Sequence, residues 1–287
     1  MEESNNNGNE ISRIPRLLQE IPKPPKRLYI RGKLPEDHMV CLTVVGSRRF
    51  TRYGKDVCEH LIRGLAGYPI VIVSGLALGI DTIAHETALA VGLKTIAFPG
   101  SGLSDTVLYP ASNVSLAKRI IESGGALVSE FPPDFHATNW SFPQRNRLMA
   151  GMAKAILVIE AENISGTRIT AKLALDYNRE VLAVPGSIFS DASSGTNALL
   201  REGAFPARNV ADILDVLGLA SVKQASFDLY ENCSDEEKQV LELLSEPKVR
   251  GDLLRALEIP THKANVLISS MELKGLIVES MGELRRG

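Results

Sequence analysis

The sequence predicts an α/β protein: a mostly parallel sheet wound with helices, followed by a small winged-helix domain at the C-terminus. Three observations predict it. Four apolar, β-branched runs each stop at a glycine turn that opens a helical pattern: 41–45 at Gly46-Ser47-Arg48-Arg49, 70–73 at Ser74-Gly75, 95–98 at Pro99-Gly100-Ser101-Gly102, and 181–184 at Pro185-Gly186-Ser187. Short Val/Ile/Leu runs are the mark of strands covered on both faces. After residue 232 the pattern changes to three short helices and a strand pair. In a wound sheet all the turns lie along one edge, at the carboxyl ends of the strands, where ligands bind. Glycine lets backbone amides approach a ligand, and helix N-termini favour anions, so the expected feature is an amide-lined groove suited to phosphates.

The elements follow in order. Residues 1–13 are polar and Asn-rich and predict disorder. Residues 14–38 carry four prolines between 14 and 25 and predict an extended packing arm, so 1–38 is tail and arm. From Met39 to residue 219 the alternation predicts strand 40–45, helix 54–66, strand 70–73, helix 80–91, strand 95–98, helix 112–123 and strand 126–129. A long loop 130–145, strand 155–159, helix 167–178, strand 181–184, a helix near 196–202 and a short helix 211–217 complete it. Residues 220–231 read as a polar linker, and 232–287 as the second domain. There Ser234 and Glu237 make a capping box for a helix through Leu244. A helix 250–257 and a third, capped by Thr261 and stopped by Gly275, follow. Runs 276–279 and 283–285 flank Met281-Gly282 as a hairpin. That succession is the outline of a winged helix.

Bulk properties exclude little. Hydrophobic content of 44% and charged content of 23% describe an ordinary globular chain of 287 residues, long enough for two domains. The formal charge of -2 argues against a strongly basic surface, although a local basic track remains compatible with it. No apolar stretch has membrane-spanning length and no signal peptide opens the chain; no membrane partner is expected. Cys41, Cys58 and Cys233 form no CxxC pair and fit a reducing cytoplasm as small core residues.

Three stretches could carry chemistry. The turn 46–55, GSRRFTRYGK, holds Arg48, Arg49, Arg52 and Lys55 without an acid. Cations at a helix start oppose the macrodipole, so a phosphate backbone is a better reason for them than folding. Its alternative is a solvated helix start. The stretch 135–147, FHATNWSFPQRNR, has three aromatics and Arg145, Asn146 and Arg147, again without an acid. Aromatic faces stack on unpaired bases while arginines hold the backbone; Phe135, Trp140 and Phe142 could equally plug the core beneath a long connection. Ser165-Gly166-Thr167 at a helix start could be an anion nest or ordinary capping. Asp81 and His85 share a helix face. A structural cap and a satisfied histidine account for them better than a metal pair, because no third ligand is near. No dinucleotide fingerprint, P-loop or nucleophile elbow is present.

At these residues the sequence resembles the DNA-processing protein A (DprA/Smf) family. The matching motifs are GSRRFTRYG at 46–54, SGLALGIDTIAH at 74–85, PGSGL at 99–103, YP at 109–110, SE at 129–130, FPQRNR at 142–147, EAENISGTRITA at 160–171, PGS at 185–187 and GTNALLREGA at 195–204. The arm KPPKRLYIRG at 23–32 is also similar. The resemblance implies an extended Rossmann-like domain that binds single-stranded DNA in a positive pocket and forms a homodimer. It also implies loading of the RecA recombinase onto incoming strands during DNA uptake and natural transformation, and help in displacing single-strand binding protein. Carried over residue by residue, it makes Arg48 the first phosphate contact. Gly46, Ser47, Arg49, Arg52, Gly75, Gly100, Ser101, Gly102, Phe142, Arg145, Asn146, Arg147, Ser165, Gly166, Thr167 and Gly186 follow. No catalytic residue, metal or cofactor is expected.

The chain departs from the family in two places. Residues 1–38 are too few for the sterile-alpha-motif-like N-terminal domain that many members carry, and Leu78 stands where relatives often have a basic residue. The short wing and a third helix with only His262, Lys263 and Lys274 give weak support to duplex reading, so protein contact or regulation is at least as good a role. A rival reading is an enzyme, since the layout is similar to that of LOG-type nucleotide phosphoribohydrolases. Their signature PGGxGTxxE needs a glutamate where this chain has Thr170, which leaves the general acid/base missing. A nucleotide-sensing regulator using the winged helix on duplex DNA is a third reading.

Overall fold

The computed structural model describes residues 8–11, 14–220, 233–244, 246–257, 259–280 and 282–286, in two compact units, 1–225 and 226–287. The expected linker lies almost wholly outside the described residues, as does most of the expected disordered tail.

The first unit starts with β1 (Asn9–Glu10), α1 (Arg16–Gln19) and β2 (Tyr29–Gly32). The alternating series follows: β3 (Val40–Val45), α2 (Arg52–Arg63), β4 (Ile70–Ser74), α3 (Ile80–Ala90), β5 (Lys94–Ala97), α4 (Val114–Glu122) and β6 (Ala126–Ser129). It closes with α5 (Ser141–Met152), β7 (Ala155–Val158), α6 (Gly166–Asp176), β8 (Glu180–Ala183), α7 (Asp191–Arg201), β9 (Phe205–Pro206) and α8 (Val210–Leu217). The strands form one sheet in the order β1-β2-β6-β5-β4-β3-β7-β8-β9. From β6 to β9 every pairing is parallel, while β2 joins β6 antiparallel with Ile30 opposite Val128.

The period of two sorts the strand side chains into two cores. Val45, Val71, Val73 and Ile156 face a cluster with Leu18, Ile21, Met149 and Ala174. Leu42, Val44, Ile70 and Ile72 face another with Cys58, Leu61, Ile62 and Ile213. Cys41 and Cys58 are buried free thiols, and burial pushes the Cys41 thiol up to about 12, which keeps it unreactive.

Four expectations are corrected here. The sequence predicts a loop over 130–145, yet helix α5 starts at Ser141; Pro143 stands in its first turn, where a missing N–H costs nothing. The arm is more than packing, because Tyr29–Gly32 is a full strand that caps the sheet edge. Asn9–Glu10 pairs with it and so is ordered. Helix α7 starts at Asp191 rather than near 196, and Gly195 lies within it because a Cβ there would stand 2.6 Å from the carbonyl of Ala161.

The second unit contains α9 (Asp235–Leu243), β10 (Lys248–Val249), α10 (Arg250–Ala256), α11 (Thr261–Leu273), β11 (Ile277–Ser280) and β12 (Glu283–Arg286). Its antiparallel sheet runs β10-β12-β11 over a core of Val240, Leu253, Ile268, Met271, Ile277 and Leu284. The Ser234–Glu237 capping box is formed, and Gly275 takes φ 71° just beyond α11. Pro260, not Thr261, is the N-cap of α11; Thr261 is already its first helical residue.

Candidate nucleic-acid interface

The strand order places the turns after β5, β4, β3, β7 and β8 side by side along one edge. The β3 and β4 turns are locked together. Ile80 N–H donates to the Ser47 carbonyl at 3.2 Å, and Gly79, at φ 87°, lies so close to Ser47 and Arg48 that a Cβ would meet the Ser47 carbonyl at 2.4 Å. Gly46 is equally tight against Ile80. Thr51 caps α2 by accepting from Gly54 N–H, while its own N–H donates to Glu160 at 2.9 Å and its hydroxyl donates to the same carboxylate. Glu160 is buried, under the space a Gly54 side chain would fill. Its carboxylate therefore holds the Arg-rich turn in place.

Arg48 emerges from this turn exposed, with its guanidinium 5.4 Å from the centroid of the Phe142 ring, a cation–π stack. Phe142 tilts against Tyr109 at 5.6 Å, and a Cβ on Gly100 would strike its ring at 2.5 Å. These groups, with Gly75, Ala77, Leu78 and Arg145, line a cleft of about 30 Å³. Leu78 and Tyr109 are about half exposed around it. Leu76, at φ 58°, shapes the β4 turn; its carbonyl accepts from Asn113 Nδ2 at 2.8 Å, which holds that strained backbone.

The expected site residues divide into those that face outward and those consumed by the fold. Arg48 and Arg49 are exposed, with no ion pair among the described residues. Arg52 is exposed but reaches Asp56 at 3.8 Å, and Ser47 Oγ accepts from Arg49 N–H at 3.0 Å. Ser165 caps α6 through Arg168 N–H, Gly166 is open to solvent, and the Thr167 hydroxyl donates to the Gly46 carbonyl at 3.2 Å, tying the β7 turn to the β3 turn.

Several expectations are corrected. Arg145 is buried: its guanidinium donates to the carbonyls of Gly75 and Phe98, and its Nε to Asn146 Oδ1 at 3.1 Å. Burial lowers its pKa to about 10, yet it stays protonated and braces the β4 and β5 turns from below. Arg147, two residues along the helix and so on another face, pairs with Glu130 and donates to the Lys23 carbonyl at 2.6 Å, clamping the arm. Ser101 is buried, its hydroxyl donating to the Gly102 carbonyl and accepting from Tyr109 N–H. The amides of Gly75, Gly102 and Gly186 donate to Asp81, the Phe135 carbonyl and Asn197, rather than pointing unbonded into the groove. Phe135 and Trp140 join Phe131 in an aromatic cluster, leaving Phe142 as the ring of that stretch that lines the cleft, beside Tyr109.

Asp81 accepts from Gly75 N–H and Ala77 N–H and so caps the β4 turn rather than its own helix. His85 is not fully satisfied: Nδ1 meets the Thr95 hydroxyl at 2.7 Å, while buried Nε2 has no partner. Burial, then the charge of Arg145, lowers its pKa to about 3. Among the described residues no group of three His, Cys, Asp or Glu could hold a metal, and no helix is long and apolar enough to cross a membrane.

Tyr109 within YP, and Phe50 and Tyr53 within GSRRFTRYG, carry no assigned role in the sequence, and Leu78 is singled out there only for a missing charge. The only signal available was an aromatic or apolar residue inside an otherwise polar turn.

Comparisons with known proteins agree with this geometry. The family model described as DNA recombination-mediator protein A matches residues 9–218. Protein Smf of Escherichia coli K12 is 41% identical over 193 residues, covering 67% of this chain and 51% of that protein, so the match spans about half its length. DNA processing protein DprA of Streptococcus pneumoniae is 40% identical over 197 residues, covering 69% of this chain and 68% of that one. The X-ray structure of DprA from S. pneumoniae superposes with a TM-score of 0.68 at 36% identity, covering 74% of this chain and 75% of that one. The structure reported for the unique single-stranded DNA binding mode of DNA processing protein A from Helicobacter pylori gives 0.65 at 31% identity, covering 75% and 97%.

Proposed function

The chain belongs to the DNA recombination-mediator protein A family, and from that premise we propose that it binds single-stranded DNA at the Arg48–Phe142 cleft. We propose further that it hands the strand to a RecA-type recombinase as a non-enzymatic mediator. The observation that carries the reading is the guanidinium of Arg48 stacked over Phe142 at the mouth of the cleft. A planar cation reaches a phosphate, and the ring beside it offers a π-face to any base, the combination that grips unpaired nucleic acid without sequence preference. Arg49 and Arg52 continue the positive edge, which fits a strand passing across the turns although the whole chain carries a charge of -2.

On this reading the protein works in the cytoplasm during DNA uptake and natural transformation, as a homodimer that displaces single-strand binding protein while loading the recombinase. The C-terminal unit serves protein contact or regulation: α11 exposes Val266 and Leu273 beside few cations. The full chain tests the reading in two assays. Oligothymidylate binding by anisotropy should weaken in Arg48→Ala and Phe142→Ala, and the wild-type chain should restore RecA ATPase on strands coated with single-strand binding protein. Unchanged oligothymidylate affinity in both variants would overturn the site, and no restoration by the wild type would overturn the mediator role.

A further inference from the structure

Beyond the cleft, the same sheet edge carries an apolar feature that folding does not use. In the turn after β8, Ile188 and Phe189 are 85% and 93% exposed, two consecutive large apolar side chains that pack on nothing. Their loop is nevertheless built. The Asn197 side chain brackets Gly186, accepting from its N–H at 3.2 Å and donating to its carbonyl at 3.1 Å. Ser187 Oγ accepts from Phe189 N–H at 3.2 Å, and Ser190 N–H closes a turn onto the Ser187 carbonyl at 3.1 Å. A braced loop that presents an unburied aromatic ring has the form of a contact surface.

The loop is also tied to the proposed strand path. The Tyr53 hydroxyl, on α2 directly behind the Arg-rich turn, donates to the Pro185 carbonyl at 2.7 Å. The order β4-β3-β7-β8 puts three strand spacings, about 14 Å, between the β4 turn and the β8 turn. The Arg-rich turn and the start of α2 carry half-exposed Phe50 and Tyr53 and the exposed cation Arg49. In that stretch cation and ring alternate along the chain, Arg49-Phe50 and Arg52-Tyr53, which is what a single strand needs, whereas a protein-docking face would gather its apolar groups into one patch.

We propose that Phe189, on the β8 turn, is a second base-stacking platform for single-stranded nucleic acid, engaged only by strands long enough to run from the Arg48–Phe142 cleft across the β3 and β7 turns. This rests on the function proposed above and adds a far end to that site. Short strands fill the cleft alone; longer ones gain the second stack, so affinity climbs with length until Phe189 is reached.

The test is an anisotropy series on the full chain with oligothymidylates from about 4 to about 16 nucleotides, the span of site sizes known for single-strand binders. Phe189→Ala should weaken the longest oligomer about five- to a hundredfold and leave the shortest unchanged, while Arg48→Ala weakens all lengths. Phe189→Trp should keep the wild-type length dependence and Phe189→Leu should lose most of it, because stacking needs a π-face rather than bulk. Since Phe189 touches no core residue, all three variants should fold normally. If Phe189→Ala follows the wild type at every length while Arg48→Ala does not, the platform is overturned and the cleft stands. If neither variant changes binding, both fall. A change from dimer to monomer in Phe189→Ala with the length dependence intact would also overturn the platform and mark the loop as a contact between copies.

Discussion

Asp81 and Arg145 meet at opposite ends of one residue: the carboxylate accepts the N–H of Gly75, and the guanidinium donates to its carbonyl. Both side chains are buried, and a Cβ on Gly75 would lie 2.2 Å from Arg145 Nη1 and 2.6 Å from Asp81 Oδ2. The β4 turn is thus held between two buried side chains of opposite charge, one on each side of a glycine, and the floor of the cleft is the backbone so fixed.

Arg145→Ala removes the buried cation that faces Asp81, and frees the Gly75 and Phe98 carbonyls. It should destabilise the first unit by about 3–5 kcal/mol and lower its Tm by roughly 10 °C in calorimetry. Any loss of DNA affinity should track the loss of the braced turns, with the slope of log K against log salt altered less than by removal of exposed Arg48.

Arg48→Ala should behave in the opposite way. Exposed Arg48 contributes little to folding, so Tm should stay within about 1 °C of the wild type. Binding of oligothymidylate should weaken, and the slope of log K against log salt should become shallower by roughly 0.7, the loss of one phosphate contact on a single strand. A steep slope retained by this variant would move the contact elsewhere.

His85 sets an acid limit on stability. Its pKa is lowered in the fold to about 3, from an ordinary 6.5, so the unfolded chain takes up a proton that the folded chain refuses. The stabilising contribution is complete above pH 6.5 and is lost as pH falls toward 3. Between pH 6.5 and 5 the loss is about 1.5 kcal/mol, from one group of unshifted unfolded pKa. His85→Gln should flatten the pH dependence of urea unfolding across that interval, before carboxylates such as Asp105, held low by Arg31 and Lys118, begin to titrate.

Glu160 anchors the Arg-rich turn through both the N–H and the hydroxyl of Thr51. Glu160→Ala strands those donors beneath Gly54 and should cost about 1–3 kcal/mol of stability. Oligothymidylate affinity should fall with it, since Arg48 loses its fixed position. Measurable nucleoside-monophosphate hydrolysis by the wild type, lost in this variant, would restore the enzyme reading.

Much of the architecture was legible because it rests on local, repeating signals. Apolar runs of strand length and glycines at their ends located β3, β4, β5 and β8, and the period of two assigned their side chains to faces without any knowledge of neighbours. Arg48 stood out in the sequence because a cation at a helix start has no local reason to be there, and the fold leaves it exposed over Phe142. Segments whose structure comes from distant partners were not. The strand Tyr29–Gly32 rests on pairing with Ala126–Ser129, far along the chain, and with Asn9–Glu10, and nothing within its four residues announces that. The helix start at Ser141 was obscured by Pro143, which the first turn tolerates.

By itself, the sequence determined a wound α/β unit with a turn-lined carboxyl edge, its Arg-rich corner, and a separate three-helix C-terminal unit. Only the tertiary structure decided which polar groups on that edge remain available. Arg145 and Arg147 look alike in the run Arg-Asn-Arg, but one braces two turns from within and the other clamps the arm. The amides of Gly75, Gly102 and Gly186, which composition offers to a ligand, are already bonded to Asp81, Phe135 and Asn197. The physical reason is that a buried donor or cation must find its partner inside the fold, and that partner stands anywhere from six residues away at Asp81 to 124 away at Lys23.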